Sequence, residues 1–273
     1  MVTQAALAAA VGVVAALIGF RYWVYHFHPF PLGGREAGAT TPADFGVGYE
    51  PITISSGRSV LDAWWVPPPP NRDSGKAVLI CHGNRETLSD WAGGVARLHG
   101  AGHSALVFDY SGFGASTGRA TPRQLRRDAR AAFAEMNRRA GAGTELYLLG
   151  YSLGTGVLLE GLAQEVPETA GMVLVAPYAD LRTLPSRLTS IPRWARRLVP
   201  DVHNNLKAIR ANRQPTLILH SRDDEAVPLA DARALAEAGG EGVVLREVTG
   251  WSHGDFFRRP DSAYWDVVLE FLG

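Results

Sequence analysis

The sequence has only one cysteine, Cys81, among its 273 residues. An internal disulfide needs two cysteines and a thiolate-rich metal site needs several, so the sequence excludes both. An excess of one charge sign is also missing, because 27 lysine and arginine residues stand against 27 aspartate and glutamate residues. Nucleic-acid-binding domains usually carry a clear positive excess, so we expect no nucleic-acid partner.

Low-complexity sequence is absent as well. The chain has 30 glycines and 17 prolines. That combined share is well below the roughly 25–30% that is typical of disordered chains. Hydrophobic residues make up 46% of the chain and charged residues 20%, which is a globular composition. At roughly 100–200 residues per domain, the length fits one large domain or two small ones.

One long uncharged run is present, at residues 5–20, and Arg21 and several aromatic residues follow it. Counted from Val2, the run would span roughly 29 Å as a helix, close to the thickness of a bilayer's hydrocarbon core. It lacks the preceding lysine or arginine of a cleavable signal peptide. The sequence therefore predicts a transmembrane anchor over residues 2–25, with a signal peptide and an exported protein as the alternative.

Arginines follow this run and none precedes it, which favours a cytoplasmic C-terminal side by the positive-inside rule. We therefore expect a single-pass membrane protein whose folded domain is cytoplasmic. Residues 26–48 are rich in glycine, threonine, proline and alanine in their second half, and we interpret them as a linker. The folded domain is predicted over residues 49–273.

Short apolar runs alternate with longer amphipathic stretches through this domain. Such alternation predicts a mostly parallel sheet covered by helices on both faces, the doubly wound α/β class. The predicted strands are residues 52–55, 61–66, 77–81, 105–109, 146–150, 172–175, 216–219 and 243–248. The predicted helices are residues 90–99, 122–139, 154–164, 229–238 and 263–272.

A serine follows the fifth predicted strand in the motif Gly150-Tyr151-Ser152-Leu153-Gly154, and a helical stretch begins at once. A serine in a tight strand-to-helix turn needs small neighbours, which the two glycines supply. The helix that follows directs its free N–H groups at the same place. The motif alone would fit an incidental serine, but this context indicates that Ser152 is a nucleophile.

A serine hydroxyl needs a base, and the base needs an acid that holds its tautomer. In this architecture both follow the serine in the chain. His253, in a turn after the last predicted strand, is the predicted base, whereas His220 ends an apolar strand and His203 lies in an irregular segment. Asp224, just past the seventh predicted strand, is the predicted acid, with Asp223 as the alternative.

Attack of a serine on a carbonyl also needs donors for the oxyanion. The third predicted strand ends in Cys81-His82-Gly83-Asn84, in a loop that can face the serine. The backbone N–H groups of Asn84 and Leu153 are the predicted donors. His82 is interpreted as a residue that orients the loop, and Cys81 as a core residue.

Five segments together resemble the α/β-hydrolase superfamily: CHGN at 81–84, DYSGFGASTG at 109–118, GYSLG at 150–154, HSRDDEAVP at 220–228 and GWSH at 250–253. Among its members, the chain is similar to membrane-anchored serine hydrolases that include protein depalmitoylases and monoacylglycerol or lysophospholipid lipases. The resemblance implies hydrolysis of an ester or thioester through an acyl-enzyme by Ser152, Asp224 and His253, with no metal or cofactor. A peptidase, an acyltransferase and a catalytically silent binding scaffold are the alternatives.

Residues 177–215 are too many for an ordinary connection and lie where such hydrolases insert a cap over the serine. Residues 178–210 contain seven basic residues and two acidic ones, and apolar residues recur there at helical steps. A surface helix with a solvated charged face is one interpretation. The other is a basic lid that binds an acyl chain and directs Arg193, Arg196 and Arg197 at anionic lipid headgroups.

Overall fold

The computed structural model describes residues 4–26, 37–163, 169–181 and 203–273. Within them, helices cover both faces of one eight-stranded sheet, which confirms the predicted α/β class. The strands are β1 (Glu50–Ser56), β2 (Ser59–Val66), β3 (Lys76–Cys81), β4 (Ser104–Phe108), β5 (Glu145–Tyr151), β6 (Gly171–Val175), β7 (Thr216–Ser221) and β8 (Val243–Val248).

The strand order across the sheet is β1-β2-β4-β3-β5-β6-β7-β8. β2 pairs antiparallel with both β1 and β4, and all the other neighbours are parallel. The chain passes from β3 to β4 in one direction and then returns past β3 to β5. Such a reversal leaves a crevice at the carboxyl edge of the sheet, which is where α/β proteins place their sites.

Eight α-helices lie in the described ranges. They are α1 (Gln4–His26), α2 (Ala92–Gly100), α3 (Pro122–Ala140), α4 (Leu153–Gly161), α5 (Asn205–Ala211), α6 (Leu229–Gly239), α7 (Asp255–Arg258) and α8 (Ala263–Leu272). The start of α3 shows why a helix forms there: Thr121 Oγ1 accepts the N–H of Gln124 at 3.2 Å, and Pro122 opens the first turn. The sequence does not predict α5 or α7, which are short.

Two apolar layers sandwich the sheet. Successive residues of a strand face opposite sides, so Leu148 of β5 belongs to the layer formed with α3 and α4, and Leu149 to the layer formed with α2 and α8. Both side chains are completely buried. Cys81 is buried in the first layer, as a core residue. This packing on both faces holds the strands in place relative to one another. It therefore also positions the loops at the carboxyl edge of the sheet.

The predicted transmembrane anchor finds no support in the structure. No helix within the described ranges is long and apolar enough to cross a membrane. Alanine and glycine, which are only weakly apolar, make up about half of the uncharged run in α1, and Arg21 follows that run.

Part of the predicted linker packs on the folded domain. Residues 42–45 form a short 3₁₀ helix in which Pro42 is buried, and Val47 is buried in the layer that contains Trp64. The ring of Tyr49 also contacts Trp64, with the centroids 5.3 Å apart. Of the predicted linker, residues 27–36 lie outside the described ranges.

The middle of the predicted cap segment, residues 182–202, lies outside the described residues, and so do Arg193, Arg196 and Arg197 of the predicted lid. The two described ends of the segment are bonded to each other. The N–H of Leu181 donates to the carbonyl oxygen of His203 at 3.3 Å, and the N–H of Leu206 donates to that of Ala179 at 3.1 Å.

Candidate active site

Ser152 occupies the turn between β5, which ends at Tyr151, and α4, which begins at Leu153. Its backbone has φ 49° and ψ −112°, a conformation that is strained for a residue with a side chain. The N–H of Ser152 donates to the carbonyl oxygen of Val175 in β6 at 2.9 Å, which helps to hold the turn. The hydroxyl is therefore presented at the carboxyl edge of the sheet.

The two glycines of the motif allow this turn to pack closely. A β-carbon on Gly154 would overlap the backbone carbonyl of Cys81, at the end of β3. A β-carbon on Gly150 would lie 2.9 Å from the carbonyl oxygen of Gly154. Both contacts are closer than real β-carbons make, so the turn requires glycine on each side of the serine.

The structure brings Ser152, His253 and Asp224 together. His253 Nε2 lies 3.1 Å from Ser152 Oγ, and His253 Nδ1 lies 2.7 Å from Asp224 Oδ2. With Nδ1 protonated, the imidazole donates to the carboxylate and leaves Nε2 free to accept the serine proton. The three side chains come from the ends of β5, β7 and β8, as parallel strands with a shared carboxyl edge permit.

The surroundings of Asp224 favour the ionised form of its carboxyl group. Its side chain is 1% exposed, and Oδ1 accepts the N–H groups of Ala226 and Val227, both at 2.8 Å. Burial by itself would raise the pKa of the carboxyl, but the hydrogen bond and charge of His253 and the two N–H donors outweigh it and lower the pKa below its usual value. A charged, fixed carboxylate is what holds an imidazole in one tautomer.

Three side chains near Asp224 hold the base loop, residues 250–253. Asp223 Oδ2 accepts the N–H of Gly250 at 2.5 Å, so this alternative acid bonds to backbone and Asp224 bonds to the imidazole. Glu225 Oε2 accepts the N–H of His253 at 3.0 Å. Ser221 Oγ donates to the carbonyl oxygen of Trp251 at 2.6 Å. The sequence offered Asp223 only as the alternative acid and indicated no role for Glu225 and Ser221 in the base loop.

The other two candidate histidines are buried away from the serine hydroxyl. His220 Nε2 lies 3.1 Å from the carbonyl oxygen of Val227 and 3.8 Å from Asp224 Oδ2, the oxygen that His253 contacts at 2.7 Å. Burial lowers the pKa of His220. His203 is completely buried with Nδ1 3.5 Å from Glu160 Oε2, and burial also lowers its pKa.

The predicted oxyanion donors lie on two neighbouring segments. Leu153 is the first residue of α4, so its N–H has no acceptor within the helix. Asn84 follows β3, which pairs with β5 through Cys81 and Gly150. His82 Nδ1 lies 2.8 Å from the carbonyl oxygen of Gly83, so the histidine fixes the peptide plane that carries the Asn84 N–H at its other end.

Two buried carboxylates support this oxyanion loop, residues 82–87. Glu86 Oε2 accepts the N–H of Gly83 at 2.8 Å and Trp91 Nε1–H at 2.9 Å, and burial raises the pKa of Glu86 to about 7. Asp109 Oδ1 lies 3.4 Å from His82 Nε2. Burial opposes a charge on His82, but the hydrogen bond and charge of Asp109 raise its pKa above the usual value. Asp109 directly follows the apolar strand β4, which is a signal in the sequence, whereas Glu86 lies five residues past the end of β3 and carries no such signal.

Nothing in the described part of the chain groups three or more histidine, cysteine, aspartate or glutamate side chains as a metal site would. The contacts among Ser152, His253 and Asp224 are those of a serine nucleophile, an imidazole base and a fixed carboxylate. An α/β fold with this nucleophile turn and this His–Asp pair defines a serine hydrolase of the α/β-hydrolase class.

Comparison with known proteins agrees with this class. The model of the family described as "Serine aminopeptidase, S33" matches residues 72–214, and the chain belongs to this family of α/β hydrolases. An uncharacterized protein of Mycobacterium tuberculosis, Rv2307c, is 33% identical over 248 residues, which are 89% of this chain and 85% of that protein.

A more distant relative and a solved structure are also similar to the chain. The lysophosphatidylserine lipase ABHD12 of Xenopus tropicalis is 27% identical over 230 residues, which are 72% of this chain and 57% of the lipase. Among solved structures, the esterase Pf2001 of Pyrococcus furiosus superposes with a TM-score of 0.69 at 22% identity. That superposition covers 90% of this chain and 98% of the esterase, and it shows that the two share a fold.

Proposed function

We propose that this serine hydrolase cleaves carboxylic esters or thioesters through an acyl-enzyme, with Ser152 as nucleophile. The observation that carries the proposal is a chain of two contacts. Ser152 Oγ lies 3.1 Å from His253 Nε2, and His253 Nδ1 lies 2.7 Å from Asp224 Oδ2. A hydroxyl is a poor nucleophile at neutral pH unless a base takes its proton as the bond to carbon forms. This contact supplies the base and the group that orients it.

The acylation step begins with attack by the serine and ends with departure of the leaving group. His253 Nε2 accepts the proton of Ser152 Oγ while the oxygen attacks the carbonyl carbon, and the carbonyl oxygen becomes an oxyanion. The N–H groups of Asn84 and Leu153 donate to that oxyanion. Asp224 stabilises the imidazolium that forms. His253 then gives the proton to the leaving alcohol or thiol as the bond from carbon to the leaving group breaks.

The deacylation step runs through the same atoms. Water enters where the alcohol or thiol left, and His253 Nε2 accepts a proton from it as its oxygen attacks the acyl carbon. The second oxyanion faces the same two N–H groups. The bond from carbon to Ser152 Oγ then breaks, His253 returns the proton to the serine, and the carboxylic acid leaves.

The proposed substrates are acyl lipids or acylated molecules. The lysophosphatidylserine lipase named above supports this class, and it aligns with 72% of the chain. Because the chain spans only 57% of that lipase, the likeness supports a lipid ester in general and does not identify a headgroup.

The proposal is tested by fluorophosphonate labelling and by a panel of p-nitrophenyl esters from acetate to palmitate. We expect labelling and ester turnover in the wild type and neither in Ser152→Ala. A monoacylglycerol, lysophosphatidylcholine and lysophosphatidylserine then compare headgroups at one acyl chain. A folded wild-type protein that neither reacts with fluorophosphonate nor hydrolyses any ester would overturn the proposal.

A second candidate function is amino-terminal peptide hydrolysis, which the description of the matching family favours. The same triad would attack an amide, and only the leaving group would differ. Aminoacyl p-nitroanilides distinguish the two functions. Turnover of these anilides with kcat/KM above that of the best ester would make the peptidase the principal activity.

A further inference from the structure

Tyr151 precedes the nucleophile and contacts the base loop. Its side chain is 1% exposed, and its hydroxyl donates a hydrogen bond to the backbone carbonyl oxygen of His253. The tyrosine ring also lies beside the imidazole, with the ring centroids 5.3 Å apart and the planes inclined by 35°. One side chain therefore touches both the backbone and the ring of the base.

The same ring also lies against the oxyanion loop. A β-carbon built on Gly83 would lie 2.8 Å from Tyr151 Cδ1 and 2.9 Å from Cε1, closer than real β-carbons approach other atoms. Only glycine at residue 83 leaves room for the tyrosine. Gly83 supplies the carbonyl half of the peptide that carries the Asn84 N–H. Tyr151 is thus packed between the loop of the base and the loop of the predicted oxyanion donor.

Aromatic side chains hold the tyrosine in this place. Trp91 meets the ring of Tyr151 edge-on at 5.9 Å between centroids, and Phe256 stacks on it at 6.2 Å. Trp91 is itself fixed by its bond to Glu86, the residue that also accepts the Gly83 N–H. Burial raises the pKa of Tyr151 well above its usual value, so the phenol keeps the proton that it donates.

We propose that Tyr151 is a positioning residue. Through its contacts with the carbonyl of His253 and the backbone of Gly83, it holds the base and the oxyanion loop in the correct positions relative to Ser152. The inference rests on the proposed function, because it concerns the geometry of that site. The base loop has other supports, since Glu225 accepts the His253 N–H and Asp223 accepts the Gly250 N–H. Because of these other supports, loss of the Tyr151 hydroxyl should leave the loop folded. It should, however, shift the imidazole from its position beside Ser152.

The test compares two tyrosines of the same strand, each changed to phenylalanine. Tyr147 lies four residues before Tyr151 in β5, is buried in the same apolar layer, and has its hydroxyl 3.5 Å from Glu145 Oε2, away from the site. We expect Tyr151→Phe to lower kcat roughly five- to tenfold, which corresponds to about 1–1.4 kcal/mol and to one neutral hydrogen bond. KM should stay near that of the wild type, and Tyr147→Phe should leave both constants unchanged.

Fluorophosphonate labelling of Ser152 gives a second measurement that does not depend on the right ester. Its second-order rate should fall in Tyr151→Phe by a factor similar to that of kcat and stay constant in Tyr147→Phe. Thermal melting of each variant supplies the folded fraction at the assay temperature. A positioning role predicts a loss of rate in fully folded enzyme, whereas a merely structural role predicts a loss in proportion to the unfolded fraction.

The inference is overturned if folded Tyr151→Phe keeps more than half of the wild-type kcat and labelling rate, or if Tyr147→Phe loses as much as Tyr151→Phe. Failure of the proposed function gives a different result. In that case the wild type hydrolyses no ester, and the labelling rates alone decide whether Tyr151 positions the site. If the wild type is also not labelled, both the function and the inference fail.

Discussion

Gly154 lies against the backbone carbonyl of Cys81, so close that a β-carbon at residue 154 would overlap the oxygen. The contact joins the first turn of α4 to the end of β3. It therefore sets the distance between the two segments that carry the predicted oxyanion donors, the N–H groups of Leu153 and Asn84. A single atom at residue 154 would have to push these segments apart.

Gly154→Ala should therefore lower both the melting temperature and ester turnover. The backbone carbonyl of a central strand cannot move far, so the added methyl group acts as overpacking, which costs about 1–3 kcal/mol or more. Gly161→Ala is the matched control in the same helix, because a β-carbon there would meet its nearest atom at 3.4 Å, an ordinary contact. Equal melting temperatures and activities for the two alanine variants would contradict the argument.

Removal of the proposed nucleophile or the proposed base should nearly abolish ester turnover without unfolding the chain. Ser152→Ala and His253→Ala should each lower kcat by roughly 10⁴-fold or more, since members of such a triad act as a unit. The double variant should then be little worse than either single one. Steady-state kinetics with circular dichroism as the check on folding measure this. More than a few per cent of residual activity in Ser152→Ala would refute its role.

The two neighbouring aspartates should respond differently to amidation. Asp224→Asn removes the charge that holds the imidazole and should lower kcat strongly, though by less than Ser152→Ala or His253→Ala does. Asp223→Asn keeps an oxygen that can accept the Gly250 N–H, so its effect should be less than about tenfold. Side-by-side kcat values decide the matter, and the reverse order would assign the acid to Asp223.

Glu86 should make the stability of the fold depend on pH. Its pKa is raised from 4.5 to about 7 because the carboxyl is buried, so between these values the folded chain binds a proton that the unfolded chain has lost. Stability from this group is therefore present below about pH 4.5 and lost as the pH rises through about 7. Glu86→Gln cannot ionise, and its amide oxygen can still accept from Gly83 and Trp91.

The melting temperature of Glu86→Gln relative to the wild type should accordingly rise between pH 5 and about pH 8, in the window set by these pKa values. Calorimetry at several pH values measures the difference. Glu241→Gln, at an exposed glutamate, is the control and should show no such trend. A difference between Glu86→Gln and wild type that is the same at every pH would show that the carboxyl does not titrate in this range.

The sequence was informative where a short segment carries its own signal. All eight strands were predictable because apolar runs of strand length are local, and Ser152 was predictable because its glycines and its flanking strand and helix are adjacent in the chain. Tyr151 could not be recognised as a link between two loops. Its partners, Gly83 and His253, lie about seventy and one hundred residues away, and only the strand order brings them together.

The role of Glu86 was hidden for a different reason, because its partners Gly83 and Trp91 are near it in the chain. A glutamate two residues after Asn84 suggests a solvated turn, but Glu86 is buried and accepts a hydrogen bond from the Trp91 indole.

The short helix α5 lies in a segment that the sequence assigned to a cap. It is seven residues long, less than two full turns beyond its cap, too short for an apolar period to be seen.

Residues before Tyr49 contribute to the folded domain. A chain that begins at Thr41 keeps the N-cap of the 3₁₀ helix, in which the Thr41 N–H donates to Asp44 at 2.7 Å, and keeps the buried Pro42 and Val47. A chain that begins at Tyr49, the boundary predicted from sequence, loses them. Burial of one valine contributes about 1.5–3 kcal/mol, so the shorter chain should melt at a lower temperature.

Both shortened chains lack α1, which contributes no residue to the Ser152–His253–Asp224 contact, so the chain from Thr41 should hydrolyse a short soluble ester as the full chain does. Loss of turnover in that chain while it remains folded would show that α1 acts at the site. Sedimentation of the full chain and the Thr41 chain with membranes, before and after carbonate extraction, tests the predicted anchor. If only the full chain sediments and resists extraction, residues before Thr41 attach the protein to the membrane. If a mature protein begins after the apolar run, the signal-peptide alternative holds, and if both chains stay in solution, the anchor prediction is wrong.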